Sequence, residues 1–263
     1  MIRPGERVRL DRVDPAKTLG FEGIKDDGRK LLEKLTARLE KLQELLYAGH
    51  EHSILIVLQG MDSAGKDGTI RRVFEGVNPQ GVRVASFKKP SDVEADHDFL
   101  WRIHAQLPAR GEMVLFNRSH YEDVLVPRIH GWISRPEWKR RCRAINDFER
   151  MLTEEGTTVV KFFLHISRGE QKRRLRARLD DPTKHWKFRV ADLHERHRWT
   201  DYMKAYEETL AKTSTSWAPW CIVPSDRKWY RDLVVSERIV SALDGLGMRY
   251  PRLPPEFRST QVR

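Results

Sequence analysis

The sequence predicts an α/β fold in which helices cover both faces of a parallel five-stranded sheet. Apolar segments with the character of buried strands alternate with segments of helical periodicity, as in chains built from β-α-β units. One of these strands runs directly into a glycine-containing loop and then a helix, the order that a phosphate-binding loop requires. The predicted strands are 54–58, 82–87, 112–117, 157–166 and 220–225.

The composition fits a globular protein with a polyanionic partner or substrate. The 263 residues suffice for one α/β domain with additions or for two small domains, and 39% hydrophobic residues support a core. The net charge of +11 favours either nucleic acid or a polyanionic metabolite as the partner.

Cysteine usage and hydropathy predict a cytoplasmic location. Cys142 and Cys221 lie far apart and form no metal-binding pattern, which is typical of a reduced compartment. The N-terminus is charged throughout, and no apolar span approaches transmembrane length. We therefore expect neither a signal peptide nor a membrane partner.

The chain before the first strand divides into an arm and a helix. Residues 1–27 carry mixed charges with Pro4 and Pro15 and predict an arm laid over the domain or over a partner subunit. From residue 28 to 47, leucines recur at helical spacing between charged residues. Such a stripe suits packing on the core or a dimer seam, and the spacing leaves both open.

Residues 60–69 (G-M-D-S-A-G-K-D-G-T) are close to the Walker A phosphate loop. Glycines at 60 and 65 permit a tight turn in which backbone N–H groups point at phosphate oxygens, and the helix N-terminus adds partial positive charge. Lys66 supplies a full charge. The predicted phosphate contacts are Gly60, Met61, Ser63, Ala64, Gly65, Lys66, Asp67, Gly68 and Thr69.

Two carboxylates distinguish this loop from the usual motif. Asp62 lies inside the loop, where it is tolerable if a cation lies between it and the phosphates, so it is a candidate metal ligand. Asp67 replaces the Ser or Thr that binds magnesium in the motif. It is predicted either to cap the helix or to hold a metal-bound water.

The third strand ends in a second group of candidate catalytic residues. Asn117 stands where an acid often serves the magnesium, so the acidic candidates are Glu122 and Asp62. Arg118 lies at the carboxyl edge of the sheet, where open α/β sheets bind ligands, and is placed to reach a transferring phosphoryl group. The alternative is a surface ion pair between Arg118 and Glu122.

The remaining helices are predicted from caps and breaks. Capping boxes at Ser91 and Ser167 open helices, the first reaching about residue 107, and Gly156 ends a helix over 136–155. Asp192 is expected to cap a helix to about residue 212. A final helix is predicted over 228–246, before a tail over 249–263.

Residues 172–212 form a predicted lid. They join a helix dense in cations to a basic segment with interleaved aromatic residues, after the fourth strand, where nucleotide kinases carry a lid. Either Trp186 or Phe188 is suited to stack on a base. The alternative is a solvated charged face. The cations predicted to clamp phosphates are Arg174, Arg178, Lys184 and Lys187.

In combination these motifs resemble the second polyphosphate kinase family. The matching pieces are 60–68, 116–123 (F-N-R-S-H-Y-E-D), 178–187 (R-L-D-D-P-T-K-H-W-K), 198–202 (R-W-T-D-Y) and 229–231 (W-Y-R). The resemblance extends from about residue 31 onward. It implies a three-layer α/β/α P-loop kinase-like fold with a helical lid, with the phosphotransferase domain over 28–248. By fold analogy the strand order is 2-3-1-4-5.

The resemblance also implies the activity. Members catalyse reversible phosphoryl transfer between inorganic polyphosphate and nucleotides, with Mg²⁺, or Mn²⁺ in its place, as the metal, and form homo-oligomers, here a dimer or tetramer. By position, Asp62 would bind metal, Lys66 and Arg118 would hold the phosphates, and the lid cations would clamp them. Asn117 combined with Glu122 resembles the subgroup acting on nucleoside mono- and diphosphates, here AMP, ADP, GMP and GDP. The Asn at 117 leaves the second metal ligand open.

Three other functions remain compatible with the sequence. An ATP-dependent nucleotide or nucleoside kinase shares the loop and the lid. A nucleic-acid-binding NTPase fits the charge, but no nucleic-acid reader motif is visible, so we expect no nucleic-acid partner. A non-catalytic phosphate-binding scaffold is disfavoured because Lys66, Arg118 and Asp62 are all present.

Overall fold

The computed structural model describes residues 1–255 and contains one parallel five-stranded sheet. The strands are ordered β2-β3-β1-β4-β5, which confirms the predicted fold class and strand order. Every adjacent pair of strands is parallel. The strands are β1 (Ser53–Gln59), β2 (Val82–Ser86), β3 (Met113–Asn117), β4 (Thr157–His165) and β5 (Trp220–Pro224).

The burial of the central strand on both faces explains its composition. β1 pairs with β3 on one side and β4 on the other, and all of its residues are buried. A strand covered on both faces needs no polar alternation, which is why its sequence is a continuous aliphatic run. Its carboxyl end therefore delivers the following loop to the middle of the sheet edge.

The helices occupy the connections between the strands and both ends of the chain. Their bounds are α1 (Lys25–Gly49), α2 (Lys66–Val73), α3 (Asp92–Ala95), α4 (Trp101–His104), α5 (Glu122–Ile129), α6 (Arg135–Glu154), α7 (Arg168–Leu179), α8 (Val190–His197), α9 (Trp199–Thr213) and α10 (Lys228–Asp244). Within residues 1–255, no helix is both long and apolar enough to cross a membrane.

The leucine stripe belongs to the core of its own chain. Helix α1 packs along α10 and buries the leucines at positions 32, 39, 42 and 46. Gly28 makes the approach possible, since a Cβ there would lie 2.4 Å from Cζ3 of Trp229. The intramolecular use of the stripe is therefore present for these four leucines, whereas Leu31 is 39% exposed and the dimer seam stays a prediction.

The N-terminal arm lies over its own sheet. The Ile2 amide donates to the Trp220 carbonyl at 2.8 Å, and the Asp226 amide donates to the Pro15 carbonyl at 3.0 Å. Leu10 is buried in a 3-10 turn. Of the tail predicted over 249–263, residues 256–263 lie outside the described part, and the predicted domain boundaries stay a prediction.

Three helix predictions were wrong in detail. The helix expected to reach residue 107 is broken into α3 and α4, where the Asp98 carboxylate accepts from the Leu100 amide and replaces a helical bond. The helix expected to start at Asp192 begins at Val190 and is interrupted at Arg198, giving α8 and α9. Helix α5 was not predicted; it contains Pro127.

The capping box expected at Ser167 is half formed. The Ser167 hydroxyl accepts from the Glu170 amide at 3.1 Å. The Glu170 carboxylate instead accepts from Arg173 and Arg174. The reciprocal bond of the box is replaced because a carboxylate prefers the charged guanidinium groups.

Candidate active site

The loop between β1 and α2 takes a conformation that depends on glycine. Gly65 has φ +111°, and a Cβ there would lie 1.8 Å from Nη1 of Arg231. Ser63 also adopts a left-handed φ of +64°, which is costly for a residue with a side chain. The following helix begins at Lys66, so its first amides lack intrahelical acceptors and face the loop.

Lys66 points into this loop. Its ammonium donates to the Gly60 carbonyl at 2.7 Å and to the Met61 carbonyl at 3.4 Å. Burial and the nearby Arg118 lower the pKa of Lys66. The Ser63 hydroxyl is buried and has no hydrogen-bond partner among residues 1–255. A phosphate oxygen in the loop would satisfy this hydroxyl and give the ammonium a charged partner.

Several side chains brace the loop from outside, and sequence reasoning identified none of them in this role. Arg174 donates to the carbonyls of Ser63 at 3.0 Å and Ala64 at 2.9 Å, and the Gln171 amide donates to the Asp62 carbonyl at 3.0 Å. The buried guanidinium of Arg174 thus supports the loop from beneath, and its predicted phosphate contact from the lid stays a prediction. The signal missed was its position four residues after Glu170, its ion-pair partner.

The Thr69 side chain has a structural contact. It is fully buried, and its hydroxyl donates to Asp232 of α10 at 3.3 Å. It therefore holds α2 against α10, and the predicted phosphate contact of Thr69 stays a prediction. The side chains of Met61 and Ala64 are likewise core residues, so these positions can serve a phosphate through their backbone alone.

Arg118 joins the two candidate acids. Its guanidinium donates to Asp62 Oδ1 at 2.7 Å and lies 3.6 Å from Glu122 Oε2. Burial opposes the charged form of Arg118, but Glu122 and Asp62 outweigh it and raise its pKa. Arg118 also has φ +64°. The predicted Arg118–Glu122 ion pair is thus present, but it is part of a cluster at the loop rather than a surface pair.

Glu122 is held by a residue that the sequence analysis did not consider. Gln59 is the last residue of β1, and its amide nitrogen, in the orientation that satisfies both ends of the side chain, donates to Glu122 Oε1 at 3.1 Å. Burial raises the pKa of Glu122, with Arg118 opposing. Register explains the proximity, since β1 and β3 end side by side with Leu58 opposite Asn117.

Asn117 contacts the loop helix. Its amide nitrogen donates to Asp67 Oδ1 at 2.7 Å. Helix α2 has no side-chain cap, so the capping role considered for Asp67 is absent. The sheet edge and the phosphate loop are therefore tied together at this point by a neutral amide and a carboxylate.

The acidic residues are suited to a magnesium ion that also binds phosphate. Asp62 and Glu122 offer carboxylate oxygens on either side of Arg118 at the loop. No cluster of three metal-ligating His, Cys, Asp or Glu side chains occurs within the described chain. Because Mg²⁺ commonly takes one or two carboxylates and completes its shell with phosphate oxygens and water, this donor set fits it.

The predicted lid cations are distributed unevenly. Arg178 lies 3.6 Å from Asp192 and donates to the Lys187 carbonyl at 3.4 Å. Lys184 pairs with Asp181, and the Lys187 ammonium lies 4.8 Å from the Trp186 ring centre, so both make their contacts within the lid. Helix α8 lies close to the loop, because its Arg196 donates to Gln171 Oε1 at 2.6 Å and Gln171 donates to the Asp62 carbonyl. Burial and the nearby Asp62 carboxylate raise the pKa of Asp192.

The phosphate loop lies at the central strand of a 2-3-1-4-5 parallel sheet. An arginine lies near the loop lysine, and a helical segment lies beside them. Together these features define a P-loop phosphotransferase. The family model for polyphosphate kinase 2 (PPK2) matches residues 23–250. The chain therefore belongs to the polyphosphate kinase 2 family.

Relatives span the full length of this chain. The AMP/ADP-polyphosphate phosphotransferase of Meiothermus ruber is 53% identical over 99% of this chain and 97% of that protein. The ADP-polyphosphate phosphotransferase of Rhodopseudomonas palustris is 46% identical over 98% of this chain and 93% of that protein. The crystal structure of polyphosphate kinase 2 from Arthrobacter aurescens superposes with a TM-score of 0.93 at 49% identity, covering 99% of this chain and 92% of that one.

Proposed function

We propose that this protein transfers phosphoryl groups reversibly between inorganic polyphosphate and nucleoside mono- and diphosphates, with AMP, ADP, GMP and GDP as acceptors. The observation that carries the proposal is the convergence of Lys66, Arg118 and Asp62 at one phosphate loop. The names of the Meiothermus and Rhodopseudomonas relatives support adenine nucleotides, and the Asn117 with Glu122 pattern supports both phosphorylation levels.

The chemistry asks for alignment and charge neutralisation rather than a strong base. The attacking group is a phosphate oxygen that is already ionised near neutral pH. Charge develops on the oxygens of the transferred phosphoryl group, and Lys66 and Arg118 are positioned to stabilise it. The backbone amides of the loop hold the phosphates of one substrate. The lid cations hold the phosphates of the same substrate or of the second one, so that donor and acceptor oxygens lie in line.

Asp62 and Glu122 are the residues that would hold Mg²⁺, or Mn²⁺ in its place. When bound, the metal would supply positive charge that offsets part of the charge on the phosphates. The carboxylates have a second role in this chain, because they hold the Arg118 guanidinium at the loop. Loss of either is therefore expected to affect the orientation of Arg118 as well as metal binding.

The test is whether ATP forms from ADP and polyphosphate with no other phosphoryl donor. Luciferase luminescence measures the ATP. Lys66→Ala is the inactive control, and AMP, GMP and GDP are then supplied in turn and their products separated by chromatography. Product with ATP as the sole donor and none with polyphosphate would instead assign an ATP-dependent nucleotide kinase. Binding of DNA or RNA in preference to polyphosphate at matched salt would favour a nucleic-acid-binding NTPase.

Assembly as a homodimer or homotetramer is part of the same proposal. The leucines of α1 do not support it, since they pack within the chain. Light scattering coupled to size-exclusion chromatography measures the mass directly. A monomeric mass at assay concentration would remove oligomerisation from the proposal.

A further inference from the structure

A fully buried ion pair lies behind the turn that carries Arg118 and Glu122. Lys161 of β4 and Glu149 of α6 are both 0% exposed, and Lys161 Nζ donates to Glu149 Oε2 at 2.5 Å. Replacing such a pair with apolar residues of similar size is often neutral or stabilising. Stability of the core therefore does not by itself account for an ammonium and a carboxylate at this place.

The pair reaches the turn through Tyr121. Lys161 Nζ donates to the Tyr121 hydroxyl at 2.9 Å, and this hydroxyl donates to Glu149 Oε1 at 2.7 Å. Tyr121 is fully buried and directly precedes α5, whose first residue is Glu122. Any shift at the start of α5 that carries Tyr121 with it must therefore break these bonds or repack the ring.

The same ammonium also holds the residue that directly follows the predicted lid. Lys161 Nζ donates to the carbonyl of Thr213, the last residue of α9, at 2.7 Å. The Thr213 hydroxyl accepts from the Trp220 indole at 2.9 Å. One buried group thus connects the turn before α5, the end of α9 and strand β4.

The protonation states fix the direction of these bonds. Burial and the Glu149 carboxylate raise the pKa of Tyr121 well above its ordinary value, so its hydroxyl keeps its proton. Burial opposes ionisation of Glu149, but Lys161 and His120 together outweigh it and hold the pKa of that carboxyl below its ordinary value. Tyr121 is therefore a fixed donor to Glu149 rather than a rotating hydroxyl.

We infer that Tyr121, Glu149 and Lys161 are positioning residues that hold the turn from Arg118 to Glu122 in its reactive geometry. The inference rests on the proposed function for its effect on turnover. The turn needs such support because Arg118 sits at φ +64°, a left-handed conformation that is unfavourable for a non-glycine residue unless its surroundings impose it. A small displacement of a group that orients phosphates reduces turnover steeply.

The first experiment is Tyr121→Phe, which keeps the ring packed edge-on against Trp220 and removes the hydroxyl. We expect kcat to fall on the order of 10-fold with the KM values for nucleotide and polyphosphate nearly unchanged, because positioning and not ground-state contact is lost. Tyr230→Phe is the matched control. Its hydroxyl is also hydrogen-bonded, to the Leu19 carbonyl at 2.5 Å, but on the N-terminal arm.

The second experiment separates the ion pair from the hydrogen bond. In Lys161→Met with Glu149→Leu, Tyr121 has no polar partner in the pair, and kcat is expected to fall at least to the level of Tyr121→Phe, because His120 also loses its bond to Glu149 and the Thr213 carbonyl loses its donor. In Lys161→Met with Glu149→Gln, an acceptor for Tyr121 remains but the bonds of Lys161 are lost, and kcat is expected to lie between that of the Met/Leu variant and wild type. Adding Tyr121→Phe to the Met/Leu variant should cost nothing further, because the interaction is already lost.

Hydrogen exchange of amides 118–123 gives a readout that does not depend on turnover. Tyr121→Phe should exchange these amides faster than wild type, while Tyr230→Phe should not. If wild type makes no product from polyphosphate, the proposed function fails and this measurement alone decides the positioning role. A wild-type kcat together with unchanged exchange in Tyr121→Phe would overturn the inference. This holds even if thermal melting shows that the variant is less stable, and it does not depend on whether the double variants fold.

Discussion

The Arg118 guanidinium and the Asp62 carboxylate are hydrogen-bonded at 2.7 Å across the mouth of the phosphate loop. Asp62 lies in the loop after β1 and Arg118 immediately follows β3, so their contact joins the two central strand ends. A phosphate entering the loop competes with Asp62 for Arg118. Asp62 is also a residue that would hold a divalent ion, and as a metal ligand it would compete less strongly for the arginine.

Removing the Arg118 guanidinium should cost about 10²- to 10³-fold in kcat, the usual loss for one transition-state donor. Arg118→Lys should recover part of this, because an ammonium keeps the charge but lacks the fork that reaches both Asp62 and Glu122. Steady-state kinetics of Arg118→Ala and Arg118→Lys measure both effects. Arg150→Ala is the control, since this exposed arginine of α6 pairs with Asp147. A kcat within about threefold of wild type in Arg118→Ala would exclude the assigned role.

Asn117→Asp tests how the loop tolerates another carboxylate. The new oxygen would lie about where the amide nitrogen is now, 2.7 Å from Asp67 Oδ1, and two carboxylates at that distance repel. In EDTA we expect the melting temperature of Asn117→Asp to lie a few degrees below that of wild type. Mg²⁺ should raise the melting temperature of this variant by more than it raises that of wild type. Asn117→Ala, which loses the hydrogen bond without adding charge, should show no such recovery. Equal responses of both variants to Mg²⁺ would contradict the prediction.

Most of the fold could be predicted because local patterns specify it. The β1 run, the glycine loop and the following helix are adjacent in sequence, so their order alone located the site at the sheet edge. The lysine and the acids of the site also lie close in sequence to the strand ends, so local patterns identify them. The break between α3 and α4 escaped prediction because a side-chain acceptor, Asp98, competes with the helix at one position.

The supporting residues could not be predicted because they depend on long-range contacts. Gln59 reaches Glu122 through strand register, and Arg174 reaches the Ser63 carbonyl across 111 positions of the chain. A cation-rich helix in sequence suits either a lid or a brace, and Arg174 is assigned by its burial rather than by its charge. The same limit applies to Lys161, whose position in a strand gives no sign of its partners on α6 and α9.

Stability should fall on acidification through His165. Burial lowers the pKa of His165 below its ordinary value of 6.5, although its ring is hydrogen-bonded to the Val13 carbonyl at 3.1 Å. As pH drops below 6.5, the unfolded chain takes up a proton that the folded chain resists, so unfolding becomes easier until the lower folded pKa is reached. The loss is up to about 1.4 kcal/mol for each pH unit in that window.

His165→Gln should flatten this dependence, since glutamine keeps a donor and does not titrate. Urea unfolding of both proteins at pH values of about 7, 6 and 5 gives the comparison, and the other titrating groups cancel in the difference. The two curves should separate below the ordinary histidine pKa and run parallel above it. Parallel curves throughout would assign the acid sensitivity of this protein to other groups.

The lid cations should appear in the salt dependence of polyphosphate use. A protein that neutralises several phosphates releases their counterions, so the logarithm of its affinity falls linearly with the logarithm of salt concentration. If Lys184 and Lys187 each neutralise one phosphate during binding, Lys184→Ala should raise the KM for polyphosphate and make this slope shallower by about one. Lys139→Ala removes an exposed charge of α6 and should leave the slope unchanged.

Lys184 now pairs with Asp181 inside the lid, so the predicted loss requires that polyphosphate draw the ammonium away from that carboxylate. A slope in Lys184→Ala equal to that of wild type would mean that the Lys184 ammonium stays with Asp181 or solvent and takes no part in the clamp.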